Sequence, residues 1–111
     1  MLDKGNYKID EFIQMIVNHE FVQAHEVLEH DWKALKKLGD KTSAKFLQGL
    51  INGTTAIALF IKGREDASIK VWSTFVKYKV LFDEVKLNDK EKYSYAIDLL
   101  EEKYSKKGSL C

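Results

Sequence analysis

The sequence predicts an all-α fold, a single-domain antiparallel bundle of about five helices, on three observations. The chain has no proline and is rich in Leu, Ile, Lys, Glu and Ala, so few residues break a helix and many favour one. Apolar side chains recur at three- and four-residue spacing along most of its length. The stretches between the periodic segments are roughly two to five residues long, the length that turns a chain back against the preceding helix. With 111 residues there is material for one domain, and for a core that needs neither disulfides nor a metal staple.

Helix one is expected from Ile9 to Asn18, with Ile9, Phe12, Ile13, Ile16 and Val17 on its apolar face. Asp10 and Glu11 fall in its first turn, where the helix dipole favours acids. Helix two is expected from Glu20 to Leu38, with Phe21, Ala24, Leu28, Trp32 and Leu35 as its inner stripe and Gly39 as its C-cap. Helix three, Thr42 to Lys62, has Asp40 or Thr42 as cap and is apolar nearly all round, the mark of a central helix. Gly49, Gly53 and Ala56 share one of its faces, which predicts a close neighbouring backbone there, and Gly63 ends it. Helix four, Glu65 to Lys86, should bury Ile69, Trp72, Phe75, Val76 and Phe82. Helix five should begin with a capping box, Asn88 as N-cap and Glu91 three residues on, bury Tyr93, Ala96, Ile97, Leu100 and Tyr104, and end at Gly108.

Charge and composition narrow the function classes. Eighteen basic and seventeen acidic side chains give a net charge of +1, no global signal for nucleic acid or an anionic membrane. Lys62, Arg64, Lys70, Lys77, Lys79 and Lys86 make the neighbourhood of helix four basic, which reads as a solvated face because no aromatic–basic module accompanies it. The apolar run from Phe46 to Ile61 is short for a membrane span and is interrupted by Gln48, Asn52, Thr54 and Thr55. Met1 to Lys8 lacks the build of a signal peptide, and the lone Cys111 reads as a terminal thiol, so a cytoplasmic protein is expected. Exposed aromatics such as Tyr78 and Tyr95 offer a possible homodimer surface.

Candidate chemistry concentrates in Ala24-His25-Glu26-Val27-Leu28-Glu29-His30-Asp31-Trp32. At about 100° per residue, His25 and Glu29 fall together at the edge of the inner stripe, and Glu26 and His30 fall together nearer solvent. A histidine and a carboxylate at i, i+4 can share a divalent ion such as zinc, manganese or iron, provided further ligands join them. In that reading His25, Glu29 and His30 are metal ligands and Glu26 is the general base. Neither the H-E-x-x-H zinc motif nor the E-x-x-H di-iron spacing is present. In the second reading, His25, Glu29 and Trp32 form a polar network in the helix–helix seam with Gln48 and Asn52, because an unpaired buried polar group costs ~1–3 kcal/mol. Gln48, Asn52 and Thr55 form one polar line on helix three, and this line is expected to face His25 and Glu29. A metal-free ligand pocket is the third reading.

The segment Phe21-x-x-Ala24-His25-Glu26-Val27-Leu28-Glu29-x-x-Trp32, followed by Phe46-Leu47-Gln48-Gly49-Leu50-Ile51, resembles the domain of unknown function 309 family. The resemblance spans about Asn18 to Trp72. It implies a small all-helical protein, often catalogued as a predicted metal-dependent hydrolase, with His25, Glu26, Glu29, Trp32, Gln48 and Gly49 as signature positions. Two departures bear on the metal. The histidine that often follows the Gln-Gly pair in the family is missing from Asn52–Phe60, and His30 stands where an acid is more usual. The sequence therefore favours a helical module that is structural or binds a partner, with a metal-dependent hydrolase as the alternative.

Overall fold

The computed structural model describes residues 7–110 as an all-α bundle of five helices, with no strand among the described residues. The helices are α1 (Ile9–Val17), α2 (Phe21–Leu38), α3 (Lys41–Ile61), α4 (Glu65–Lys79) and α5 (Lys90–Ser105). Cys111 and most of the Met1–Lys8 segment lie outside the described residues. The bundle measures 41 × 24 × 21 Å.

The central helix is α3, which packs on both α2 and α4 and carries eleven buried residues. By length and composition it could cross a membrane, but 56% of its most apolar window is buried by the other helices, which accounts for its apolarity. Its start is fixed by Asp40, whose carboxylate accepts a hydrogen bond from Ser43 N–H at 3.1 Å. Just before it, Gly39 closes α2 in the left-handed conformation at φ 79°.

The glycine face of α3 receives α4. A Cβ on Gly49 would lie 2.8 Å from Tyr78 Cβ, and one on Gly53 would lie 3.0 Å from Phe75 Cδ1. Ser68 on α4 donates to the Ala56 carbonyl at 2.5 Å. These pairs ascend along α3 as they descend along α4, so the two helices run antiparallel. The close approach fixes which side of α4 is buried. Ser68 and Phe75 are buried, while Ile69 and Val76, expected inside, are exposed at 56% and 43%. The helix is also shorter than the apolar spacing predicts. It gives way to a 3-10 turn over Val80–Glu84 before extended backbone at Val85, whose side chain and that of Leu87 enter the core.

The start of α5 also differs from the expected capping box. The N-cap is Asp89, with φ 59°, and no side chain caps the helix, so the Asn88–Glu91 box does not form. A left-handed residue at the cap turns the chain sharply and shifts the register by one, which takes Glu91 out of reach of the box. The helix ends at Ser105, and Gly108 falls inside a short 3-10 turn, Lys107–Leu110. Tyr93, Ala96, Leu99 and Leu100 are its buried side chains.

Candidate functional site: the seam between α2 and α3

The buried stripe of α2 is Phe21, Ala24, Leu28, Asp31 and Leu35. Their spacing alternates three and four, the heptad pattern of a helix laid against a core, with an aspartate in an apolar position. Asp31 is fully buried. One of its oxygens accepts the backbone N–H of Lys8 at 2.7 Å, and the other lies 3.0 Å from His30 Nδ1. Lys8 is the N-cap of α1, a helix with no side-chain cap of its own. Asp31 therefore supplies from α2 what the glutamate of a capping box supplies locally, an acceptor for the N-cap N–H and a carboxylate at the positive end of the helix.

Two tyrosines surround this carboxylate. Burial, followed by the charge of Asp31, raises the Tyr7 phenol above its ordinary value of 10. The same two causes in the same order raise Tyr93 well above its ordinary value. The Tyr93 Oη is buried without a hydrogen-bond partner among the described residues.

Rotation of Asp31 into the core turns His25, Glu29 and Trp32 outward. His25 Nε2 and Glu29 Oε2 are 3.9 Å apart, with side-chain exposures of 35% and 39%. Trp32 is half-buried, and the Lys36 ammonium stands 4.4 Å from the centre of its ring. Along α3, Lys41, Lys45, Gln48, Asn52, Thr55, Leu59 and Lys62 recur at helical spacing as the partly exposed line of an otherwise buried helix. That line borders the α2 side chains. Thr55 lines a cleft of about 170 Å³ with His25, Val22, Ala58, Leu59 and Lys62 over a floor of Phe21. Gln48 lines one of about 260 Å³ with Trp32, Lys36, Lys41, Ala44 and Lys45.

The structure thus brings His25, Trp32 and Gln48 to one open seam, with Asn52 on the same line of α3 and Glu29 beside His25 but turned to the other flank. It does not join them in a hydrogen-bonded network. Among the described residues, no hydrogen bond links His25 or Glu29 to Gln48 or Asn52, and the Thr55 hydroxyl donates to the Ile51 carbonyl of its own helix at 3.0 Å. The buried polar side chain of α2 is Asp31, and the seam residues stay partly in solvent. Glu26, Glu29 and His30 open on the other flank of α2 with Lys33 and Lys37.

The donor set bears directly on a metal. Among the described residues, no group of three His, Cys, Asp or Glu side chains converges where an ion could sit. His25 and Glu29 provide two donors, and the nearest contact of His30 is Asp31, already bonded to Lys8. Two donors with solvent on the remaining sides do not make the closed or three-ligand site that zinc or a related ion requires. No catalytic step through a metal follows from these residues.

Asp31, Lys36, Lys41 and Lys45 were not singled out by sequence reasoning. Asp31 could have been found from the strict 21-24-28-31-35 spacing, which places it in the stripe and Trp32 at its edge. The lysines carry no such signal, because only the pairing of α2 with α3 brings them round one tryptophan.

A family model described as a domain of unknown function (DUF309) matches residues 9–71, from α1 into the first half of α4. Neither the curated proteins nor the solved structures contain a match.

Proposed function

Because the chain belongs to the DUF309 family, a domain of unknown function, we propose from its site that it is a non-catalytic binding module whose recognition surface is the α2–α3 seam. The observation that carries this reading is the pair of clefts on one face, one beside His25 and the other beside Trp32. His25 and Trp32 are seven residues apart, so the clefts are spaced by two helical turns, about 10 Å. A bound amphipathic helix repeats its apolar anchors at the same i, i+7 interval.

The rims give the charge of the partner. Lys36, Lys41 and Lys45 surround the Trp32 cleft and Lys62 stands at the His25 cleft. The occupant is an amphipathic helix with two large apolar anchors seven residues apart and acidic residues flanking them. Its anchors enter the apolar floors, and its acids meet the lysines at the ends of the seam.

Calorimetry with a synthetic acidic helix tests the reading. Leu or Phe is placed at the two anchor positions and glutamates flank them. Saturable binding is expected, weakened about tenfold or more by Trp32→Ala, since removal of a buried aromatic anchor typically costs more than 1 kcal/mol. No saturable binding up to about 1 mM peptide, or equal binding by a peptide with its anchors moved to adjacent positions, would overturn it. The hydrolase alternative has its own decisive result: one equivalent of zinc, manganese or iron held by the protein and lost on His25→Ala.

A further inference from the structure

His19 stands apart from the histidines of α2, in the turn between α1 and α2. Its backbone is left-handed, at φ 62°, a conformation uncommon outside glycine, asparagine, aspartate and histidine. Two contacts hold the side chain. The ring lies flat against Phe21, with centroids 5.7 Å apart and planes 13° from parallel. Nε2 meets the Lys103 ammonium of α5 at 2.9 Å, across 84 positions of sequence. An ammonium can only donate, so Nε2 accepts, and the ring is neutral with its proton on Nδ1.

This contact admits the neutral ring alone. A proton on Nε2 consumes the lone pair that Lys103 bonds and sets two positive charges against each other. The charges around the ring are mainly positive. Lys62, just past the end of α3, lines the cleft beside His19. On α5, Glu102 pairs with Lys106 at 3.9 Å, and beyond it Lys107 lies over the Tyr104 ring. At this end α1 contributes Gln14 and Asn18, hydrogen-bonded to each other, and its acids lie in its first turn. Glu20, the N-cap of α2, is the neighbouring acid in the chain.

His19 also borders the recognition surface. With Phe21, Val22, Ala58 and Lys62 it lines a cleft of about 160 Å³, and those four residues line the His25 cleft as well. The two clefts form one groove that carries the seam past the start of α2. We propose that His19 is an acid-operated tie. Neutral, it fastens the α1–α2 turn to α5 through Lys103. Protonated, it releases Lys103, stays on the Phe21 ring as a cation, and adds a positive charge to the groove beside Lys62. That charge strengthens the capture of an acidic helix, a consequence that rests on the seam being the recognition surface. Imidazoles as a class change charge between about pH 5 and 8, so the tie is fastened at the alkaline side of that window and lost as the pH falls.

NMR titration of the full chain from about pH 8 to about pH 5.5, followed at His19 Cε1–H and at the Lys103 side chain and amide, tests the tie. Lys103 should titrate in step with His19. The step should vanish from Lys103 in His19→Asn, which suits the left-handed turn and has no titrating ring. Calorimetry with the synthetic acidic helix at the two ends of that range tests the consequence. His25 lines the groove in both proteins, so the quantity compared is the gain in affinity on acidification. The unmodified chain should gain about threefold more than His19→Asn, the size of one rim charge. A Lys103 signal that ignores His19, or that titrates unchanged in His19→Asn, overturns the inference and leaves the seam reading standing. An equal gain in both proteins does the same. An acidic helix that binds neither protein at either pH overturns the seam reading and the regulation with it, while the Lys103 titration still decides the tie.

Discussion

Asp31 and His25 sit six residues apart on one helix and do opposite things. Asp31 is sealed in the core and bonded to the N-cap of α1. Asp31→Ala leaves that N–H without its charged acceptor and is expected to cost about 2 kcal/mol, on the order of 10 °C in Tm, read by thermal unfolding. His25→Ala loses only a half-exposed contact to Glu29 and should cost less than about 0.5 kcal/mol in the same measurement. Tyr93 gives a second test. Its phenol is held neutral by burial and by Asp31, so the folded state resists an ionisation that the unfolded chain undergoes near pH 10. Stability is therefore full below pH 10 and falls as the pH rises above it. Tyr93→Phe should flatten that alkaline loss in pH-dependent urea unfolding. At neutral pH it should be neutral or stabilising by about 1 kcal/mol, because the Oη has no hydrogen-bond partner among the described residues.

Among the helices, α3 acts through two faces of different character. Its glycine face admits α4, and the Gly49 position decides how closely. Gly49→Ala gains about 1 kcal/mol of helix propensity and drives a methyl to 2.8 Å from Tyr78 Cβ, an atom next to the backbone that cannot swing away. Overpacking of this kind costs about 1–3 kcal/mol, so a net loss is expected in denaturant unfolding, with α4 displaced. Gly39, in the left-handed conformation with open space around it, resists substitution through backbone strain instead. The other face of α3 is the lysine-ended polar line that forms the seam. Residues alone made part of this readable. The apolar periodicity located every helix, and the Gly49–Gly53–Ala56 face announced the close neighbour. The buried side of α4 was readable only in part: Phe75 was expected inside and is buried, but the same spacing admits Ile69 and Val76, and only contact with the α3 glycines puts Ser68 inside in their place. The αL turn at Asp89 was hidden for a similar reason: an Asn–Asp pair offers two N-caps, and tertiary packing of Leu87 selects the second.

At the scale of the whole molecule, the polar side chains divide between a core tie and an open surface. The sequence concentrated reactive groups in nine residues of α2. It could not separate Asp31, which joins α1 to α2, from His25 and Trp32, which line clefts with α3. That separation rests on a few tens of degrees of helix rotation, set by the burial of Phe21, Leu28 and Leu35 together. The result is a compact module with a lysine-ended seam on one face and the exposed side chains of Ile69 and Val76 on α4 at one edge. Amide chemical-shift mapping during titration with the acidic amphipathic helix reads the α2–α3 seam residue by residue. Saturating shifts are expected along Val22, His25, Trp32, Lys36, Gln48 and Thr55, with Ile69 and Val76 on α4 unchanged. Shifts centred on Glu26, His30 and Lys37, or spread over α4 and α5 while the seam stays silent, would contradict the seam as a recognition surface.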